Sequence, residues 1–131
     1  MADQICVDTD IIIDHLRGKG PGVGAFEKIV RTNDPFITSI NKFELLCGAR
    51  DEKETGIIEQ TLAGFTLLPF DEACSREASR IYRELKGKGR LIGVRDIMIA
   101  GAVIANNLTF ATKNLKEFEK IKGLKLMKVK G

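Results

Sequence analysis

Short apolar runs alternating with amphipathic stretches along 131 residues predict an α/β fold, a central parallel β-sheet flanked by helices on both faces. The runs are Ile5-Cys6-Val7, Phe36-Ile37-Thr38 and Thr109-Phe110-Ala111, each too short for a helix and bounded by polar or turn residues. Between them, sets such as Cys74, Ala78, Ile81 and Leu85, at spacings of four, three and four, put apolar side chains on one helical face. No internal repeat or linker interrupts the alternation, so one domain spanning 1–131 is expected.

In chain order, residues 5–7 read as a buried strand, and a turn at Asp8-Thr9-Asp10 feeds a short helix over 11–17. Gly18-Lys19-Gly20-Pro21-Gly22 breaks it, a helix follows over 23–31, and Asn33-Asp34-Pro35 forms a turn before the second strand at 36–38. Ser39 is the expected N-cap of a helix to about Ala49, with Phe43, Leu46 and Cys47 on one face. Ile57, Ile58, Thr61 and Leu62 mark the next helix, and residues 65–68 the third strand. Asp71 caps the helix carrying Cys74 to Leu85, which Gly87-Lys88-Gly89 ends. A helix starts at Asp96 and runs through Ala105, followed by a strand at 109–111, a short helix at 115–121 and a last strand at 124–127.

The 44% hydrophobic and 30% charged composition is that of a globular chain rather than a disordered one. Met1-Ala2-Asp3-Gln4 is followed by only three apolar residues before Asp8, so no leader is expected. The longest apolar stretch, 97–105, falls far short of the ~20 residues of a membrane span. The expected compartment is the cytoplasm. Cys6, Cys47 and Cys74 are odd in number and sit in apolar surroundings, so all three read as small buried hydrophobes.

Three carboxylates stand where apolar runs meet polar groups: Asp8 after Ile5-Cys6-Val7, Glu44 inside Phe43-Glu44-Leu45-Leu46, and Asp96 before Ile97-Met98-Ile99-Ala100. In a parallel sheet, ligands bind at the carboxyl ends of the strands, and Thr112, Asn114 and Glu117 join the same edge. Carboxylates converging on one pocket lose hydration and repel one another unless a cation lies between them. A divalent metal is the first expectation. A single histidine, His15, rules out a His-rich or zinc-finger site, and the remaining oxygen ligands suit Mg2+ or Mn2+.

Each feature also has a plainer explanation. Asp8 and Asp96 could be ordinary helix caps; Glu44, in mid-helix, could not. Asp8-Thr9-Asp10 has the D-x-D form that opens haloacid-dehalogenase-type phosphatases, but Ile12 stands where that motif wants Thr or Val. The glycines from Gly18 to Gly24 lack a following G-K-[ST] and read as a flexible loop, not a phosphate cradle. Net charge is +3, with Lys113, Lys116, Lys120, Lys122, Lys125, Lys128 and Lys130 near one end and Arg76, Arg80, Arg83, Lys86, Lys88 and Arg90 in a second stretch. Clustering of this kind is compatible with a polyanion, but taken alone it favours a solvated face, as the i,i+4 pair of Glu72 with Arg76 and the interspersed Glu77 and Glu84 indicate.

Four segments in order carry a resemblance: Val7-Asp8-Thr9-Asp10-Ile11-Ile12-Ile13-Asp14; Thr38-Ser39-Ile40 through Glu44-Leu45-Leu46-Cys47-Gly48-Ala49; Leu91-Ile92-Gly93-Val94-Arg95-Asp96-Ile97-Met98-Ile99-Ala100; and Ala111-Thr112-Lys113-Asn114-Leu115-Lys116-Glu117-Phe118. Together they resemble PIN-domain proteins, most closely the VapC toxins of toxin–antitoxin pairs. The resemblance implies a three-layer PIN-like domain and a Mg2+- or Mn2+-dependent endoribonuclease. It also implies a homodimer held inactive by a cognate VapB-type antitoxin. It places Asp8, Glu44, Asp96 and Glu117 at the catalytic and metal-holding positions, with Thr9, Ser39, Thr112 and Asn114 as candidates to hold those carboxylates by hydrogen bonds. Two departures stand out. Glu117 occupies the place of the usual Asp in T-x-N-x-x-D-F, one methylene longer, which predicts a shifted or weaker second-metal side, and Asp10 replaces the commoner Asn or Ser, adding charge at the pocket rim. A PIN-like RNA-binding or assembly module with weak catalysis is the alternative. The resemblance and the basic clusters imply an RNA substrate, single-stranded or looped, since an A-form groove hides its bases.

Overall fold

The computed structural model describes residues 4–129. Five parallel strands form one sheet in the order β3-β2-β1-β4-β5: β1 (Gln4–Val7), β2 (Asp34–Thr38), β3 (Thr66–Leu68), β4 (Thr109–Thr112) and β5 (Lys125–Lys128). Strand side chains alternate between two cores. Ile5, Val7, Ile37 and Ala111 face a layer built from α1 (Thr9–Arg17), α2 (Gly22–Thr32), α3 (Ser39–Cys47) and α4 (Glu52–Thr61), filled by Ile11, Ile12, Phe26, Ile29, Leu45 and Ile58. Cys6, Leu68 and Phe110 face the other layer, made by α5 (Glu72–Gly87), α6 (Val94–Ala105) and α7 (Leu115–Phe118). The expected three-layer parallel α/β architecture is therefore present, because the inner strands β1, β2 and β4 bury apolar side chains on both faces and need helices on both.

The second layer is a tight pair. The predicted stripe Cys74, Ala78, Ile81 and Leu85 is buried along α5, whose first turn Asp71 caps by accepting the Cys74 N–H at 3.1 Å. Gly101 of α6 lies so close to Ala78 that a β-carbon there would come within 2.7 Å of the Ala78 nitrogen. Asn106, at the C-cap of α6, donates to Ala102 O and approaches Cys74 Sγ, so the two helices run antiparallel.

Several boundaries differ from the sequence reading, each for a local reason. Asp8, in extended conformation, is itself the cap of α1, which puts Thr9 and Asp10 in the first turn rather than in a preceding turn. Asp34 and Pro35 belong to β2, since the fixed φ of proline suits the start of a strand where no inward N–H is required. α6 begins at Val94, so Asp96 is its third residue. β5 is shifted by one residue, and α7 stops at Phe118.

The largest correction concerns α3. Thr38, not Ser39, caps it, accepting the Asn41 N–H at 3.0 Å. The inward face is Asn41 and Leu45; Phe43 is 62% exposed and Cys47 is exposed, so only Cys6 and Cys74 of the three cysteines are buried. The glycine-rich segment is likewise pinned rather than loose. Asp14 Oδ2 accepts the Gly22 N–H at 2.8 Å, and Gly20, at φ 108°, and Gly22 leave no room for a β-carbon beside that carboxylate. Among the described residues no helix is long and apolar enough to cross a membrane. Met1, Ala2, Asp3 and Lys130 lie outside the described residues.

Candidate active site

Asp8 sits at the carboxyl end of β1, the central strand, where the chain turns into α1. Both of its oxygens are engaged. Oδ1 accepts the Thr9 N–H at 2.8 Å and the Asn41 Nδ2 at 3.1 Å, and Oδ2 accepts the Thr112 hydroxyl at 2.7 Å. Thr112 ends β4, the neighbouring strand, so two adjacent strand ends and the first turn of α3 meet on this one carboxylate.

Asn41 is fully buried and organises the next layer. Its Oδ1 accepts from Thr38 Oγ1 at 2.6 Å, while its amide donates to Asp8 and, at 2.9 Å, to Thr9 Oγ1. Thr9 Oγ1, thereby supplied with a donor, directs its own proton to Glu44 Oε1 at 3.2 Å. Asn41 thus orients Asp8 directly and Glu44 through Thr9. Neither Asn41 nor Thr38 was among the predicted site residues. The available signal was a Thr at a strand end followed three positions on by a polar residue, the pattern of a helix cap.

The electrostatics mark the site as short of positive charge. Burial pushes the Asp8 pKa up to about 7, with Asp10 and Asp96 adding to the effect against the hydrogen bonds from Thr112 and Thr9. Asp10 is raised by burial, opposed by the Lys113 N–H that donates to its carboxylate at 3.1 Å. Asp96 is raised by burial and then by Glu44, Glu117 and Asp10, with Arg95 acting in the opposite sense. Asp8, Asp10, Glu44, Asp96 and Glu117 are thus close enough for their charges to act on one another.

The remaining predicted residues fall into different places. Glu117, half-buried, pairs with Lys120 at 3.4 Å. Asn114 contributes its backbone N–H, to Thr112 Oγ1 at 3.0 Å, while its side chain is exposed. Ser39, as the first residue of α3 rather than its cap, makes no side-chain hydrogen bond among the described residues; Thr38 and Asn41 do what was expected of it. Lys113 joins Asp10 through its backbone and Asp14 through Nζ at 2.8 Å, and that ammonium holds the Asp14 pKa below the usual carboxylate range.

Among the described residues, no three side chains of Asp, Glu, His or Cys converge at liganding distance as they stand. Two of the acids are paired with cations, Glu44 with Arg95 Nε at 3.2 Å and Glu117 with Lys120. The donor set still consists of carboxylate oxygens, which is the chemistry of a hard divalent cation, and the raised Asp8, Asp10 and Asp96 are what such a cation would relieve. Cys6, buried beneath Asp8, has its thiol pKa raised by burial and then by Asp8, so it stays protonated and is no nucleophile.

Residues 5–124 match the model of the PIN domain family. Ribonuclease VapC1 of Methanocaldococcus jannaschii is 30% identical over 125 residues, covering 94% of this chain and 86% of that protein. The tRNA(fMet)-specific endonuclease VapC of Shigella flexneri is 33% identical over 126 residues, covering 93% and 95%. Among solved structures, DNA-bound VapBC from Salmonella typhimurium superposes with a TM-score of 0.82 at 27% identity, covering 97% of this chain and 98% of that one. A strand order with the Asp8 strand at its centre, a carboxylate-lined carboxyl edge and these likenesses agree on one conclusion: the chain belongs to the PIN domain family.

Proposed function

We propose that this protein is a VapC-type endoribonuclease, the toxin of a toxin–antitoxin pair, which hydrolyses phosphodiester bonds in RNA with the help of Mg2+ or Mn2+. The observation that carries the reading is Asp8, a buried carboxylate fixed on both oxygens at the carboxyl edge of the sheet and pushed up to about 7 by burial and by the charges of Asp10 and Asp96.

Asp8, Glu44 and Asp96 would hold the ion, with Glu117 on a second side. When bound, a divalent cation at such a site polarises a phosphate oxygen and lowers the pKa of a water. The protein's own part is to hold the carboxylates still: Thr112 and Asn41 on Asp8, and Thr9 on Glu44. No side-chain nucleophile is needed.

The partners follow from the same reading. A VapB-type antitoxin is the cognate inhibitor, as the solved relatives named for VapBC suggest. A groove of about 520 Å3 opens beside Glu44, lined by Ile13, Leu16, Leu45 and Ile57 together with Arg17 and Arg50, and a partner seated there would lie against Glu44. A homodimer, one PIN-like domain over 1–131 and a cytoplasmic setting complete the proposal. The phosphatase reading of Asp8-Thr9-Asp10 is set aside by the family match.

One observation favours the alternative of a catalytically weak module, namely that Glu44 and Glu117 are turned toward Arg95 and Lys120. The deciding experiment is cleavage of a single-stranded RNA with EDTA, then with added Mg2+ or Mn2+. Cleavage is expected only with the metal, to be abolished by Asp8→Asn and Asp96→Asn, and to be reduced less by Glu117→Gln. Cleavage that persists in EDTA, or Asp8→Asn cutting at the wild-type rate, would overturn the mechanism. A wild-type protein that binds RNA but cuts nothing in either metal would favour the module.

A further inference from the structure

Glu44 offers one oxygen to Thr9 and the other to Arg95. Thr9 Oγ1 already receives the Asn41 amide, so its proton is committed to Glu44 Oε1, and this contact sets how the carboxylate lies. The other oxygen, Oε2, is taken by the Arg95 guanidinium at 3.2 Å. Arg95 lies in the first turn of α6, next in sequence to Asp96, so the cation that neutralises Glu44 stands beside a second acid of the site.

We propose that Arg95 is an internal counter-cation that competes with a divalent metal for Glu44, and thereby sets the metal affinity of the site. The proposal rests on the metal reading given above. Two features suit Arg95 to the task. Its side chain is 60% exposed against 20% for Glu44, so the pair is held at the surface and is cheap to break. The guanidinium also stays charged at any physiological pH, so it leaves Glu44 only when something else neutralises that carboxylate. Arg95 occupies one oxygen of Glu44 and also offsets the charge of the neighbouring Asp96, whose pKa burial and then Glu44 raise, so a single guanidinium stands where two acids of the site act on each other. A divalent cation held by Glu44 would take the place of Arg95 on that carboxylate and leave the guanidinium to solvent.

The test is calorimetric titration of Mn2+ into the wild-type protein, Arg95→Ala, Arg95→Gln, Glu44→Gln and the Glu44→Gln/Arg95→Ala double variant. Both Arg95 variants are expected to bind Mn2+ about fivefold more tightly, the scale of one exposed ion pair. In the Glu44→Gln background the same change is expected to gain less than about twofold, since the carboxylate competed for is gone. Unchanged or weaker Mn2+ binding in Arg95→Ala and Arg95→Gln would overturn the proposal while leaving the metal reading intact. No Mn2+ binding to the wild-type protein or to either Arg95 variant would overturn both.

Discussion

The Thr112 hydroxyl donates to Asp8 Oδ2 at 2.7 Å, joining residues 104 positions apart at the ends of adjacent parallel strands. Thr112 Oγ1 in turn accepts the Asn114 N–H, which ties the loop after β4 to the same point. A single buried hydroxyl therefore links the orientation of Asp8 to the loop that leads to Glu117.

Replacing Thr112 by Val removes that donor while keeping the shape. Loss of a hydrogen bond to the ionised form raises the Asp8 pKa further, so the acidic limb of the cleavage profile should move to higher pH. Metal affinity or activity should fall about 10- to 100-fold. The pH–rate profile and Mn2+ titration of Thr112→Val check this.

Stability without metal should depend on pH through Asp8. Its folded pKa of about 7 lies above that of the unfolded chain, so its contribution is fully present below about pH 4 and is lost as pH rises through 7. Asp10 and Asp96 are shifted in the same direction. In EDTA, the melting temperature should therefore be higher at pH 5 than at pH 8, and Asp8→Asn should flatten the difference and raise the value at pH 8 by several degrees, roughly 3–6 °C per kcal/mol for a chain of this size. Saturating Mg2+ should reverse the slope by favouring the ionised form. A wild-type protein that gains stability between pH 5 and 8 in EDTA would contradict this account.

The α5–α6 contact should be intolerant of one methyl group. A β-carbon at Gly101 would meet the Ala78 nitrogen at 2.7 Å and its Cα at 2.8 Å, and backbone atoms cannot swing aside. Gly101→Ala should cost about 1–3 kcal/mol in urea unfolding. Gly64→Ala, where a β-carbon meets nothing within 4 Å, is the control and should be close to neutral.

The basic clusters should differ in their effect on RNA binding. Along α5, Arg76, Arg80 and Lys88 are paired with Glu72, Glu77 and Glu84, which supports the solvated-face reading there. Near the other end, Lys113 and Lys120 are engaged by Asp14 and Glu117, whereas Lys116 and Lys128 are exposed and have no ion-pair partner among the described residues. Lys128 pairs in register with Thr112 at the carboxyl edge. Neutralising Lys116 and Lys128 together should lower the salt slope of RNA binding by about 0.7 for each phosphate that is no longer neutralised, while Arg76→Gln should leave it unchanged. Binding measured across a salt series separates the two.

Much of the architecture was legible in the chain because it rests on neighbours in sequence. Each apolar run became a strand of the parallel sheet, and the Cys74-Ala78-Ile81-Leu85 stripe and the Asp71 cap are where spacing predicted them. The ordered segments around Asp8, Glu44, Asp96 and Glu117 were enough to suggest the PIN family. What failed was finer. Of the expected inward face of α3, Phe43, Leu46 and Cys47, only Leu46 packs against the core, beside the buried Asn41 and Leu45, because the side a helix buries is set by the elements it packs on and not by its cap. Which donor holds which carboxylate was decided only by tertiary structure: Asn41 reaches Asp8 across 33 positions and Thr112 across 104, and Arg95 rather than another cation meets Glu44. Periodicity is a property of the local chain and can be read from it, but a hydrogen bond between distant residues depends on strand order, register and helix rotation together, and these are settled only when the sheet and its two helical layers have packed.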